Sequence, residues 1–238
     1  MGNERQTNSE AKLRSITYAL FSQLTASPYE AASAVLVLPP ADMPTVLDEL
    51  QQALPYPVDF STLIEVAQRL SSTDAESLRQ DYASLFEVGS DGPPLPIRAE
   101  LARGRSPERK EELVRFYEFF GYKLQPSWQW APDHLSVLLE FMHFLTYQES
   151  QLSEADDIAS YRTAQRDFLE RHILDWYDQI PRGMSNLTLE ISPISSTYYQ
   201  TLFETLGKFL HLDFAWQQKN LGGSLRSSVD ESSLITGY

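Results

Sequence analysis

The stretch PDHLSVLLEFMHFLTYQESQL, Pro132 to Leu152, decides the fold. Its apolar residues recur at three- and four-residue spacing, which predicts a helix opened by Pro132 and running to about Leu152. Leu135, Leu138, Leu139, Met142 and Leu145 form one apolar face. At about 100° per residue, Asp133, Val137, Glu140, Phe144 and Tyr147 fall together on another. A helix apolar on two sides belongs at the centre of a bundle, with other helices around it.

Working outward, the same periodicity fills most of the chain. Leu13, Ile16, Leu20, Phe21 and Leu24 make an amphipathic stripe, and Ser27-Pro28 reads as the cap of a segment carrying Ala31, Ala32, Val35 and Leu36. Asp42 precedes Val46, Leu47 and Leu50; Asp59 precedes Leu63, Ile64, Ala67 and Leu70. Thr73 with Glu76 reads as a capping box ahead of Leu78, Tyr82, Leu85 and Phe86. Ser106-Pro107 opens a helix bearing Leu113, Phe116, Tyr117 and Phe120, closed by Gly121. Two further helices are expected, from about Asp156 to Tyr177 and from about Pro193 to Asn220. Leu187, Leu189 and Ile191 alternate between them, but a lone strand has no partner, so an extended connector is expected. Gly89 to Gly104, GSDGPPLPIRAELARG, forbids a long helix and reads either as a functional loop or as a rigid connector. The expected architecture is an all-α, single-domain helical bundle. Residues 1–8 form a flexible start, 9–220 the helical domain and 221–238 a flexible, serine-rich tail.

Composition narrows the function. The chain has 238 residues, a formal charge of −14 and no cysteine. Without thiols there is no disulfide framework, iron–sulfur cluster or thiolate zinc site. Nineteen Lys and Arg against 33 Asp and Glu argue against nucleic acid as a partner and suit a cationic one. The first dozen residues lack the apolar run of a secretory signal, and no stretch approaches the ~20 residues of a membrane span. A cytoplasmic location is expected.

Catalytic signatures are absent: no phosphate loop, dinucleotide fingerprint, nucleophile elbow or HExxH occurs. Glu140 and His143 have the Glu-x-x-His spacing of helical di-iron sites, but such a site needs two of these motifs and two more glutamates. Only one is present, so neither metal nor cofactor is expected. The different-class alternative is a helical metal-dependent enzyme using Glu140 and His143. For the second face of the central helix two readings stay open. In one, Asp133 complements the helix dipole in the first turn while Glu140 meets a buried arginine. In the other, both carboxylates edge a groove that accepts an apolar segment with a basic flank. Trp128 and Trp130 are either ligand anchors or core plugs.

The order of several motifs resembles the redox-enzyme maturation chaperones of the TorD, DmsD and NarJ superfamily. Tyr82-x-x-Leu85-Phe86-x-x-Gly89 is similar to the family's Y-x-x-L-F-x-x-G turn, and Gly92-Pro93-Pro94-Leu95-Pro96 to its proline-rich loop. Phe116-Tyr117-x-x-Phe120-Gly121 resembles its FY-x-x-FG segment. Pro132-Asp133-His134-Leu135, with Leu139-Glu140-Phe141-Met142, resembles its most diagnostic motif. Arg166 to His172, ahead of Trp176, is similar to the helix that follows. The resemblance spans most of Leu13 to Leu212 and departs at Ala131, where many relatives carry glutamate.

The resemblance implies a non-catalytic cytoplasmic chaperone, monomeric or homodimeric. Its partner would be the apo catalytic subunit of a molybdenum oxidoreductase, bound at the N-terminal twin-arginine signal until the cofactor is inserted before export. The motif form is most similar to chaperones of type II dimethyl sulfoxide reductase family enzymes. A nitrate-reductase-type chaperone with a cytoplasmic client is the alternative. Asp133 and His134 are implied in ligand binding. The expected client-peptide set is Asp133, His134, Glu140, Val137, Phe144, Tyr147, Tyr82, Pro94 and Pro96. Within it Asp133 would engage the basic pair, and Val137, Phe144 and Tyr147 the apolar run. His134 would be neutral and donate a hydrogen bond to the client or the proline-rich loop.

Overall fold

The computed structural model describes residues 2–29, 38–89, 92–124, 131–187 and 189–232, and these are helical with no strand among them. The helices are α1 (Gly2–Thr25), α2 (Met43–Ala53), α3 (Ser61–Arg69), α4 (Ala75–Phe86), α5 (Ala99–Arg103) and α6 (Pro107–Phe119). They continue with α7 (Leu135–Ser150), α8 (Ala155–Phe168), a π-helical turn (Leu169–Leu174), α9 (Asp175–Tyr177), α10 (Gln179–Ser185) and α11 (Pro193–Ser232). Several ends follow from local chemistry. Ser106 Oγ accepts the Arg109 N–H with Pro107 in the first turn of α6, and Gly121 adopts φ +69° after its last turn. The all-α reading holds.

Other boundaries differ from the sequence reading, each for a physical reason. The capping box is Ser71 with Asp74, not Thr73 with Glu76, because a 3₁₀ turn precedes α4. The proline-rich stretch contains α5, since its prolines end before Ala99. The helical run after Ala155 passes beyond Tyr177 into α10; Pro181 is the third residue there, where a backbone N–H has no intrahelical acceptor. The backbone is helical from Gly2, and α11 reaches Ser232, past the Asn220 limit, because glycine weakens a helix without forbidding it. The segment with Ala31, Ala32, Val35 and Leu36 lies outside the described residues. So do Trp128 and Trp130.

Helix α7 is central, as its two apolar sides require. Leu135, Val137, Leu138, Leu139, Phe141, Met142 and Leu145 are all buried, and α1 packs along it. At the far end of this pair lies a buried charge network that periodicity did not disclose. Arg14 of α1 donates to Asp213 of α11, to Glu149 of α7 at 3.2 Å and to Gln165 of α8 at 2.7 Å. Asp213 also accepts from Tyr18 at 2.6 Å, Tyr56 at 2.7 Å and Gln217 at 2.6 Å. Arg162 completes the balance by donating to Glu149 at 2.6 Å. Two guanidiniums thus face two carboxylates, which makes such deep burial tolerable. A buried arginine does meet a glutamate of α7, but the glutamate is Glu149 rather than Glu140.

Candidate functional site

The motifs meet at the turn leading into α7. Pro132 does not open the helix. His134 is the N-cap, with extended backbone (ψ 138°), and α7 begins at Leu135. The turn stays extended because the segment after the proline-rich loop pairs with it. Ala99 N donates to Asp133 O at 3.1 Å, Leu135 N donates to Ile97 O at 2.9 Å, and Arg98 and His134 form an antiparallel bridge. Tyr117 donates its hydroxyl to Pro132 O at 2.8 Å. Tyr82 donates to Thr25 O at 3.1 Å and lies 3.4 Å from His134 Nε2. The proline-rich loop is anchored by Leu95 N donating to Leu85 O at 3.0 Å, with Leu95 and Ile97 in the core. Gly183 packs so tightly there that a Cβ would stand 2.5 Å from the Leu95 side chain.

Asp133 is 7% exposed, and both its oxygens are engaged inside the protein. Oδ2 accepts the Glu100 N–H at 2.7 Å, at the start of α5, and Oδ1 pairs with Arg98 Nε at 3.4 Å. His134 Nδ1 accepts the Ser136 N–H at 3.2 Å, so the ring proton of the neutral form sits on Nε2, toward Tyr82. Burial, reinforced by Arg98, lowers the His134 pKa from 6.5 to about 3. His172 is lowered to about 4, chiefly by burial.

These depressed values predict acid sensitivity. Between pH 6.5 and 3 the unfolded chain binds protons that the folded histidines refuse. Stability is therefore fully present above about pH 6.5 and is lost as pH falls toward 3. Urea midpoints measured from pH 7 to pH 4 should fall steadily, and His134→Gln should flatten that slope.

The predicted binding residues divide between interior and surface. Tyr82, Asp133, His134 and Val137 are buried; Glu140, Tyr147 and Pro94 are exposed, and Phe144 and Pro96 are half-buried. Asp133 and Glu140 do not share a surface, because Asp133 precedes the helix and the 100° projection does not apply to it. On the outside, Glu140 stands beside the Tyr122 hydroxyl and, after burial, helps to raise its pKa. Tyr122 and Phe144 rings lie 5.5 Å apart. His143 Nδ1 is 2.8 Å from Ser15 Oγ. Among the described residues no cluster of three or more metal-ligating side chains occurs, and no helix is long and apolar enough to cross a membrane.

A second exposed feature escaped the sequence reading. Phe116, Phe119 and Phe120 line a groove of about 610 Å³ with Arg115, Glu108, Glu111 and Glu112. Phe119 is 82% exposed. It packs edge-on against Phe120 at 4.9 Å, which continues through Phe141 to Phe144. The stripe expected for α6 used Phe116 and Phe120 but passed over Phe119, which that periodicity leaves outward.

Residues 39–181 match the family model described as nitrate reductase delta subunit. The chain belongs to the nitrate reductase delta subunit family. Among curated relatives of this family member, the selenate reductase assembly chaperone protein of Thauera selenatis is 34% identical over 115 residues, 46% of this chain and 58% of the relative. The chlorate reductase assembly chaperone protein of Ideonella dechloratans is 37% identical over 107 residues, 42% and 54% of the two chains. The chaperone protein TorD of Vibrio cholerae is 26% identical over 143 residues, 57% and 64%. The resemblance to TorD-type chaperones thus holds. The chain spans between half and two thirds of the length of these relatives.

Proposed function

We propose that this family member is a non-catalytic, cytoplasmic assembly chaperone for the apo catalytic subunit of a molybdenum oxidoreductase of type II. It binds the client at its twin-arginine signal region and releases it for export once the cofactor is in place. The names of the relatives support the chaperone role. The observation that carries the binding mode is Phe119 in its glutamate-rimmed groove. A twin-arginine signal joins a basic pair to an apolar run, and an exposed aromatic cluster edged by carboxylates complements both parts. Glu140, Phe144 and Tyr147 form a neighbouring patch along α7, linked to the groove beneath the surface through Phe120 and the buried Phe141. Tyr82, Asp133 and His134 serve it from inside by fixing the turn from which α7 starts.

Calorimetric titration tests this with a synthetic peptide bearing two adjacent arginines and an apolar stretch. Phe119→Ser should weaken binding about thirtyfold, the scale of a hot-spot aromatic, without moving the melting temperature. Replacing both peptide arginines by glutamine should also weaken it. Equal affinity in all three titrations would reject the binding mode. A pull-down from the anaerobically grown host identifies the client and separates a type II enzyme from a nitrate reductase.

A further inference from the structure

The rim of the Phe119 groove is less negative than its three carboxylates imply. Glu111 accepts from Arg115 Nη2 at 2.6 Å, one helical turn along α6. Glu112 accepts from Arg171 Nη1 at 3.4 Å, and Arg171 comes from the π-helical turn. Glu108 accepts from the Ser106 hydroxyl at 2.8 Å. Each of these carboxylates therefore has a partner inside the protein, and two of the three partners are guanidiniums. A client's arginine meets a carboxylate already paired with the same chemical group.

Three features make the two ion pairs exchangeable. The Arg115 side chain is 71% exposed and that of Arg171 59%, so the pairs stand in water and add little to the stability of the fold. The buried pairs of Arg14 are the opposite case. Each rim arginine also places one nitrogen on one oxygen, and Oε2 of Glu111 and of Glu112 takes no hydrogen bond among the described residues. An incoming guanidinium can thus bind before the resident one leaves. Lastly, Phe119 stands two turns beyond Glu111 on α6, about 12 Å at ~1.5 Å per residue. One segment with a basic end and an apolar run reaches both.

We infer that Arg115 and Arg171 are resident competitors for the client's arginines: they hold Glu111 and Glu112 while the groove is empty and yield them when a client binds. This rests on the groove reading given above and adds what limits its affinity. An apolar run that covers Phe116 and Phe119 removes water from the rim. The pair formed by the client is then made in a lower dielectric than the exposed pair it replaces. Without that run, the exchange trades one solvated pair for another and gains nothing. With it, the gain is the difference between two ion pairs, which keeps binding reversible. The resident guanidiniums return to their carboxylates as the client leaves, and so hasten release.

Surface plasmon resonance on the full chain tests this with two peptides, one bearing two adjacent arginines and an apolar stretch, the other with glutamines in place of the arginines. Arg115→Gln combined with Arg171→Gln should bind the arginine peptide about tenfold more tightly, mostly through slower dissociation. The same double variant should bind the glutamine peptide as the parent chain does. Lys110→Gln removes the same charge from the same helix at a residue without an ion pair among the described residues, and should change either affinity less than threefold. Melting curves verify that the variants fold. An unchanged or weaker arginine peptide in the double variant, an equal gain with the glutamine peptide, or an equal gain from Lys110→Gln would each overturn the inference. Where Phe119→Ser still weakens the arginine peptide, such a result overturns the exchange alone and leaves the groove reading standing. No binding of either peptide to the parent chain or the double variant rejects the groove reading and the exchange together.

Discussion

Asp213→Asn is expected to lower the stability of the fold by about 3–5 kcal/mol, the cost of leaving a buried charge without its partner. The carboxylate is fully buried and accepts from Arg14, Tyr18, Tyr56 and Gln217. Burial alone would raise its pKa, but Arg14 and the two tyrosine hydroxyls hold it below the ordinary value. The amide keeps the shape and loses the charge, leaving Arg14 to balance against Glu149 alone. Arg14→Met should cost a similar amount, while Arg14→Met with Asp213→Leu should cost less than the sum of the two, because an apolar pair removes both desolvation penalties even though Tyr18, Tyr56 and Gln217 lose their acceptor. Urea unfolding of the two single variants and the double variant checks this. A double variant as unstable as the sum of the singles would refute the coupling. Because the carboxylate's pKa is depressed, its contribution is present above about pH 4 and disappears on further acidification.

Asp133→Lys is the second large effect. If Asp133 acted mainly on a client's basic pair, the variant would keep its fold and lose peptide affinity. The geometry gives a different expectation. The new ammonium would stand against Arg98 and strip the Glu100 N–H of its acceptor, at an expected cost of about 3–5 kcal/mol. Asp133→Asn, which keeps an acceptor for Glu100, should cost less than half of that. Melting curves and near-ultraviolet circular dichroism separate these outcomes. A fully stable Asp133→Lys chain with weakened peptide binding would return the residue to the client interface.

Much of the architecture was legible because the signals were local. The stripe through Leu135, Leu138, Leu139, Met142 and Leu145, apolar on a second side at Val137, required a central helix, and α7 is central. Ser106-Pro107 and Gly121 set the ends of α6 through capping chemistry that depends on neighbouring residues only. The proline-rich stretch could not form a long helix, and it does not. The start of α7 was not legible in the same way. Main-chain bonds from Ile97 and Ala99, more than 30 residues away in sequence, hold the turn extended and displace the helix start to Leu135.

The sequence by itself determined an all-helical chain, its central helix, the segments that meet there and the absence of thiol chemistry. These depend on periodicity, capping and composition, which act over a few residues. Tertiary structure alone decided that Asp133 and His134 brace the interior, that Arg14 rests on Asp213 across 199 positions, and that Arg171 reaches the groove carboxylate Glu112 across 59. The reason is physical: burial and charge pairing depend on which distant elements pack together, and helical spacing carries no information about a neighbour from another part of the chain.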